Sequence, residues 1–172
     1  PVPFAMGGNE AGRGLGERLA IDPNRTASLV FGSRHDGLWR SDDSGAHWTK
    51  LAAFPAGGLG KPAPRQTHGG VAFALFDPSS GAPGTGSRRI WAGVADPGGV
   101  HLYRSEDGGE TWRSGNDGIV ARYLPEDVPP DEVAFCVHCL ERAPTQPERM
   151  FMQFHGGVYR SDDAGRTWND IA

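Results

Sequence analysis

Ser41-Asp42-Asp43-Ser44-Gly45-Ala46-His47-Trp48 is spelled once and then twice more in this chain, as Ser105-Glu106-Asp107-Gly108-Gly109-Glu110-Thr111-Trp112 and Ser161-Asp162-Asp163-Ala164-Gly165-Arg166-Thr167-Trp168. Every copy fits Ser-x-Asp-x-Gly-x-(Thr/His)-Trp, and every copy follows an apolar residue, an aromatic one and Arg: Leu38-Trp39-Arg40, Leu102-Tyr103-Arg104 and Val158-Tyr159-Arg160. The string has the chemistry of a hairpin turn. A Ser hydroxyl (Ser41, Ser105, Ser161) and an Asp carboxylate (Asp43, Asp107, Asp163) accept from nearby backbone amides. Gly45, Gly109 and Gly165 supply a positive φ at little steric cost. The aromatic ring of Trp48, Trp112 or Trp168 is expected to open a strand and to fill the space between repeated units. Because the aspartates recur in every unit, they read as architecture rather than as catalysts.

Working outward, an apolar strand precedes each Leu/Val-aromatic-Arg strand: Leu29-Val30-Phe31, Ile90-Trp91-Ala92-Gly93-Val94 and Met150-Phe151-Met152-Gln153-Phe154. Before those come Arg18-Leu19-Ala20-Ile21-Asp22-Pro23, Val71-Ala72-Phe73-Ala74-Leu75-Phe76-Asp77-Pro78 and Val133-Ala134-Phe135-Cys136-Val137-His138-Cys139-Leu140. The three strings start 64 and 56 residues apart, which suits four-stranded units with variable loops. Strands this apolar on both faces need cover on both sides, as when small antiparallel sheets stack radially. No helical periodicity appears, and Gly or Pro interrupts every long stretch. The fold expected is all-β: three four-stranded antiparallel units over about 16–54, 70–116 and 132–172, with the stretch 56–64 as a Gly/Pro linker.

Composition narrows the function classes. The 172 residues include 26 Gly and 14 Pro, but also 5 Trp, 3 Tyr and 8 Phe, enough bulk for a packed core. A formal charge of −4 gives no reason to expect a nucleic-acid partner. No run approaches the roughly 18 apolar residues of a membrane helix, and no signal peptide opens the chain. The opening Pro1-Val2-Pro3 is expected of a processed or excised segment.

The repeated string resembles the Asp-box, or BNR repeat, of β-propellers, the fold of sialidases, sortilin-like receptors and xyloglucanases. Over about residues 8–118 the chain is most similar to xyloglucanases of glycoside hydrolase family 74. The likeness is carried by Gly12-Arg13-Gly14-Leu15-Gly16-Glu17-Arg18-Leu19-Ala20-Ile21-Asp22-Pro23-Asn24, Gly37-Leu38-Trp39-Arg40-Ser41, Phe76-Asp77-Pro78-Ser79-Ser80-Gly81 and Trp91-Ala92-Gly93-Val94-Ala95-Asp96. From about 119 onward it looks more like uncharacterised Asp-box glycosidase-like proteins. The resemblance implies a partial β-propeller with Asp-box turns, in a secreted, extracellular protein acting on β-glucan or xyloglucan without a cofactor. It also implies that active sites gather at the mouth opposite the Asp-box turns.

Candidate residues follow from that placement. The family inverts at the anomeric carbon with two aspartates, and its first lies in an Arg-Thr-Asp-x-Gly-Gly loop between second and third strands. Here Ser33-Arg34-His35-Asp36-Gly37 keeps Arg-x-Asp but lacks the Thr and the double Gly, which nominates Asp36 as the catalytic carboxylate. The second aspartate has no recognisable counterpart. Loops at the same end supply Glu17, Arg18, Arg34, His35, Asp96, Tyr123 and His155 as substrate-binding candidates. Trp39, Trp91, Tyr103 and Tyr159 lie mid-strand and are expected to pack between units.

Other chemistries fit less well. Sialidase catalysis requires an arginine triad and a Phe/Tyr-Arg-Ile-Pro signature, and the signature is absent. Cys136, His138 and Cys139 cannot converge on a metal from one extended strand without a bulge, so the cysteines are expected to be buried core thiols and no metal site is expected, while an approach of His155 to His138 leaves a weak metal or proton-transfer role open. Gly12-Arg13-Gly14-Leu15-Gly16 follows no strand and opens no helix, which argues against phosphate binding. Asn24-Arg25-Thr26 is a glycosylation sequon only in a eukaryotic secretory host. The alternative to a glycan-active segment is a non-catalytic propeller module for self-assembly or protein interaction. Three units alone fall short of the four to eight blades of a closed propeller, so self-association or the remaining blades of a larger ring are expected to cover the outer faces.

Overall fold

The structure, a computed structural model, describes residues 1–4, 19–33, 36–55, 70–96, 99–119, 137–154 and 157–172. Among these residues twelve strands form three separate four-stranded sheets, each an antiparallel meander in chain order. The first sheet contains β1 Leu19–Ile21, β2 Leu29–Ser33, β3 Gly37–Ser41 and β4 Thr49–Lys50. The second contains β5 Gly70–Asp77, β6 Arg89–Asp96, β7 Gly99–Ser105 and β8 Arg113–Ser114. The third contains β9 Val137–Arg142, β10 Met150–Phe154, β11 Gly157–Ser161 and β12 Asn169–Asp170. Helical structure among the described residues is limited to one 3-10 turn, Pro78–Ser80, whose first amides are served by the Asp77 carboxylate through Ser79 N at 2.9 Å. Each fourth strand begins one residue after its Trp rather than at it, because the Trp still belongs to the turn.

Register makes the three sheets superimposable on paper. Leu29, Ile90 and Met150 each pair with the Ser that opens a turn, and Phe31, Ala92 and Met152 pair with Trp39, Tyr103 and Tyr159. Strand alternation then sends one set of residues toward the preceding sheet and the other toward the following one. Between the first and second sheets lie Val30 and Leu38 on one side and Ala74, Phe76, Ile90, Ala92 and Val94 on the other. Between the second and third lie Phe73, Trp91 and Leu102 against Leu140, Met150, Met152, Tyr159 and Trp168. The middle sheet is therefore covered on both faces, which is why its strands are the longest and most apolar. Gly32 illustrates how close the sheets come, since a Cβ there would sit 2.3 Å from Val71 Cγ1 of the second sheet. The result is a partial β-propeller of three four-stranded blades.

An apolar residue outside the sheets closes each Trp. Phe54, from the tail of the first unit, meets Trp112 edge-on at 4.9 Å, and Ile119, from the tail of the second, joins the cluster around Trp168. In the first unit that seat belongs to Phe4, whose ring lies 5.5 Å from Trp48 and stacks on Phe31 at 5.0 Å.

Candidate functional site

The meander puts two kinds of loop at opposite ends of every sheet. At one end sit the β1–β2, β5–β6 and β9–β10 loops together with the three repeated turns. The turns are nearly identical. Ser41, Ser105 and Ser161 Oγ accept from the amides of Gly45, Gly109 and Gly165 at 2.8, 2.8 and 2.9 Å, and donate to Asp43, Asp107 and Asp163 Oδ1 at 2.8, 2.8 and 2.7 Å. The same Oδ1 atoms accept from His47, Thr111 and Thr167 N at 2.8, 2.9 and 2.9 Å. The predicted glycines have positive φ, and the residue before each does too: Ser44 at 61°, Gly108 at 79° and Ala164 at 59°. That fourth position looked unconstrained in the sequence. Its amide donates to Ala27, Arg88 or Glu148 O in the neighbouring loop, and this staple holds the strained residue in place.

These hydrogen bonds fix the charge of the turn carboxylates. The His47 amide and then its imidazole, with Ser41, hold Asp43 at about 2. The Thr111 hydroxyl and amide do the same for Asp107, also at about 2. For Asp163 burial works upward, but donors from Thr167, Ser161 and Arg166 outweigh it and again leave about 2. Each Oδ1 is taken up by the Ser hydroxyl and a backbone amide and each Oδ2 by the side chain of His47, Thr111 or Thr167, and carboxylates ionised at neutral pH have no proton to donate. Their role is structural.

The opposite end carries the β2–β3, β6–β7 and β10–β11 loops, together with the segments that link one sheet to the next. Asp36 is the candidate that the structure describes in full. Its amide donates to Ser33 Oγ at 3.0 Å, its carbonyl accepts from Trp39 Nε1 at 3.0 Å, and Oδ1 accepts from Lys50 Nζ at 2.7 Å. Lys50 also lies 6.0 Å from the centre of the Trp39 ring. Lys50 drew no attention in the sequence, because its closeness to Asp36 depends on the β3–β4 register, with Lys50 paired to Trp39. Among the other candidates, Asp96 ends β6, and its side chain lies outside the described residues; so do Glu17, Arg18, Arg34, His35, Tyr123 and His155.

One sequence expectation changes. Cys139 is exposed instead of buried, because it stands on the outer face of the third sheet as described; partial desolvation and the nearby Glu141 charge push its pKa up. Cys136 lies outside the described residues. At the sequon, Asn24 Nδ2 donates to Pro78 O at 2.7 Å and Ser87 Oγ at 3.1 Å. Of the mid-strand aromatics, Trp91 and Tyr159 are fully enclosed between sheets, Tyr103 packs half-buried in the first junction, and Trp39 is half-buried against Phe4. Among the described residues no group of His, Cys, Asp and Glu side chains could hold a metal ion.

Asp22 and Asn24 are working residues that the sequence did not single out as such. Asp22 is buried and accepts from Ser87 N and Ser87 Oγ of the second sheet, both at 2.6 Å. The likeness noted in Ile21-Asp22-Pro23-Asn24 is therefore carried by a clamp between sheets.

No family model matches the chain. A xyloglucanase from a Paenibacillus species is 45% identical over 129 residues, covering 72% of this chain and 12% of that protein. A xyloglucanase from Hypocrea jecorina is 35% identical and aligns with 99% of this chain, so the likeness runs through the C-terminal third as well; the chain spans 21% of that relative. Among solved structures, the glycoside hydrolase family 74 enzyme of Niastella koreensis superposes with a TM-score of 0.71 at 30% identity, over 98% of this chain and 23% of that one. In sequence and in fold, this chain is a glycoside hydrolase-like propeller segment similar to part of the family 74 xyloglucanases.

Proposed function

We propose that the chain is a β-glucan-binding segment of a secreted xyloglucan-acting hydrolase, with units over 16–54, 70–116 and 132–172 and with the repeated turns serving as Asp-boxes. The observation that carries this reading is the 45% identity to a named xyloglucanase over 129 residues. Substrate lies across the loop end, where Glu17, Arg18, Arg34, His35, Asp96, Tyr123 and His155 offer hydrogen bonds and Tyr123 a flat ring for a pyranose face. Asp36, with Lys50 Nζ 2.7 Å from its Oδ1, is one carboxylate of the acid–base pair that such hydrolysis requires. The second carboxylate of an inverting pair, about 6.5–9.5 Å away, belongs to a further unit of the ring. No cofactor enters the reaction, and further sheets complete the mouth.

Affinity electrophoresis in gels containing xyloglucan tests the binding directly. Retardation by xyloglucan and not by an α-glucan is expected. Migration unaffected by any β-glucan would overturn the reading. Where reducing sugar is released, Asp36→Asn is expected to lower the rate by at least about 100-fold, the usual scale for loss of an acid–base group. Unchanged turnover would remove Asp36 from the mechanism.

A further inference from the structure

The joint between the second and third sheets encloses two N–H groups that have no acceptor. Trp91 Nε1 and Arg104 Nε are, among the described residues, the only buried side-chain nitrogen or oxygen atoms without a hydrogen-bond partner. The two residues are paired across β6 and β7, so both side chains leave the same face of the middle sheet, toward the third. Trp91 is fully buried, and the Arg104 side chain is 11% exposed. The other four indoles all donate, to the carbonyls of Asp36, Gly45, Gly109 and Gly115. A buried donor gives up its bond to water, so two of them on neighbouring residues mark a place where something else accepts.

At the first junction the same two positions are satisfied by the protein itself. Val30 stands where Trp91 is and brings no donor. Arg40, in the place of Arg104, donates from Nε and Nη2 to Asp42 at 3.0 and 2.9 Å and from Nη1 to Gly108 O in the next turn at 2.7 Å. That last bond passes over a residue without a side chain, since a Cβ on Gly108 would lie 3.2 Å from Arg40 Nη1. The third turn has Ala164 at this position, fully buried, and its methyl group crowds the same approach by Arg104. The neighbouring carboxylates are already engaged. Glu106 meets Arg104 Nη2 but also accepts from Arg89 Nε at 3.0 Å. Asp163 Oδ1 is taken by Ser161 Oγ and Thr167 N, and Oδ2 by Thr167 Oγ1.

We propose that one small monovalent anion of the halide class, chloride in solution, sits between Trp91 and Arg104, accepts from both N–H groups and ties the third sheet to the second. A water could accept the same two bonds but would bring two protons of its own into a joint whose buried side chains already have donors in excess. The local charge favours an anion. Desolvation, and then Arg89 and Arg166, push the Arg104 pKa down to about 10 against the pull of Asp163 and Glu148. Arg89 Cζ also lies 5.9 Å from the centre of the Trp91 ring. Gly165 turns its bare side to the indole N–H: a Cβ there would lie 3.0 Å from Trp91 Nε1, 3.4 Å from Trp168 Cζ2 and 3.5 Å from Met150 Sδ. An indole edge and a thioether suit a polarisable, weakly hydrated ion and offer nothing to the further oxygens of sulfate or phosphate. The site lies at an internal joint, away from the loop end, and is independent of any sugar bound there.

Chlorine NMR of the purified protein in sodium chloride tests it, because exchange onto a protein site broadens the line of the free ion. The parent is expected to add broadening that bromide displaces. Trp91→Phe removes the N–H and keeps a ring in the joint, and Arg104→Lys keeps the charge and removes Nε; each is expected to lose most of that broadening while retaining the far-UV circular dichroism of the parent. A second readout needs no variant. With ionic strength held constant by gluconate, an anion too bulky for the joint, the melting temperature of the parent is expected to rise with chloride concentration, as it does for any ligand that binds only the folded state. Broadening that is equal in the parent and both variants would assign the chloride to surface arginines and overturn the proposal. A parent melting temperature indifferent to chloride would overturn it too, and is the result expected if water holds the two donors.

Discussion

The junction between the first two sheets and the junction between the last two share one backbone plan and almost no side-chain chemistry. The first is filled mainly by aliphatic residues, with Val30 and Leu38 meeting Ile90, Ala92, Val94, Ala74 and Phe76. The second places Trp91 where the first has Val30, and surrounds it with Met150, Met152, Tyr159 and Trp168. At the turn end, the first junction is clamped by Asp22 on neutral donors of Ser87. The second is clamped by Asp77, fully buried, between Arg89 Nη1 at 2.8 Å and Arg142 Nε at 3.5 Å. The difference shows that the repeat conserves the turn and the register, while each junction is free to fill its own volume and satisfy its own polar groups.

Truncation separates the two junctions most clearly. Trp91→Ala removes a fully enclosed indole and is expected to cost about 3–5 kcal/mol. Val30→Ala, at the equivalent position, removes two methyl groups and is expected to cost about 2 kcal/mol. Urea unfolding followed by tryptophan fluorescence for Val30→Ala, and by circular dichroism for Trp91→Ala, measures both. Equal losses would mean that the sheets rearrange around the site and that the position has no junction-specific role.

The clamps are expected to differ in the same direction by a smaller amount. Asp77→Ala leaves Arg89, whose side chain is 13% exposed, without its buried partner, at a cost of about 3 kcal/mol. Asp22→Ala strands the Ser87 amide and hydroxyl, neutral groups whose loss of a partner costs about 1–3 kcal/mol. Thermal melts of the two variants rank them. A larger loss for Asp22→Ala would show that the neutral clamp, rather than the charged one, carries its junction.

How much of this was legible beforehand depends on the range of the interaction. Most of each turn could be read, because Ser, Asp, Gly and the Thr or His all lie within eight consecutive residues and act on one another's backbone; the fourth position could not, because its amide is held by a neighbouring loop. Sheet order was equally legible, since short loops between apolar strands leave only a meander. The clamp from Asp22 to Ser87 crosses 65 positions, and nothing local marks Ser87 as its partner. Lys50 reaches Asp36 only through strand register. Cys139 was misjudged for a related reason: its strand is as apolar as a buried one, but burial there requires a fourth sheet. The loops at the opposite end do not repeat, so the logic that exposed the turns does not extend to them.

Acid should act on the part that the two junctions share. Asp43, Asp107 and Asp163 titrate at about 2 in the folded chain, against 3.8 for the unperturbed group. A folded pKa below the unfolded one means that the stabilisation is complete above about pH 4 and is lost as pH falls through 2. Over that window the unfolded chain binds more protons than the folded one, so stability rises with pH. Replacing any one of the three by Asn removes its share of the slope, and because the turns have the same hydrogen bonds, Asp43→Asn, Asp107→Asn and Asp163→Asn are expected to flatten it alike. Trp91→Ala carries no titrating group and is expected to displace the whole curve downward without changing its slope. Melting temperatures at half-unit steps from pH 2 to 5 distinguish the two behaviours. A slope unaltered in all three Asn variants would mean that the turn carboxylates are not what holds the hairpins closed.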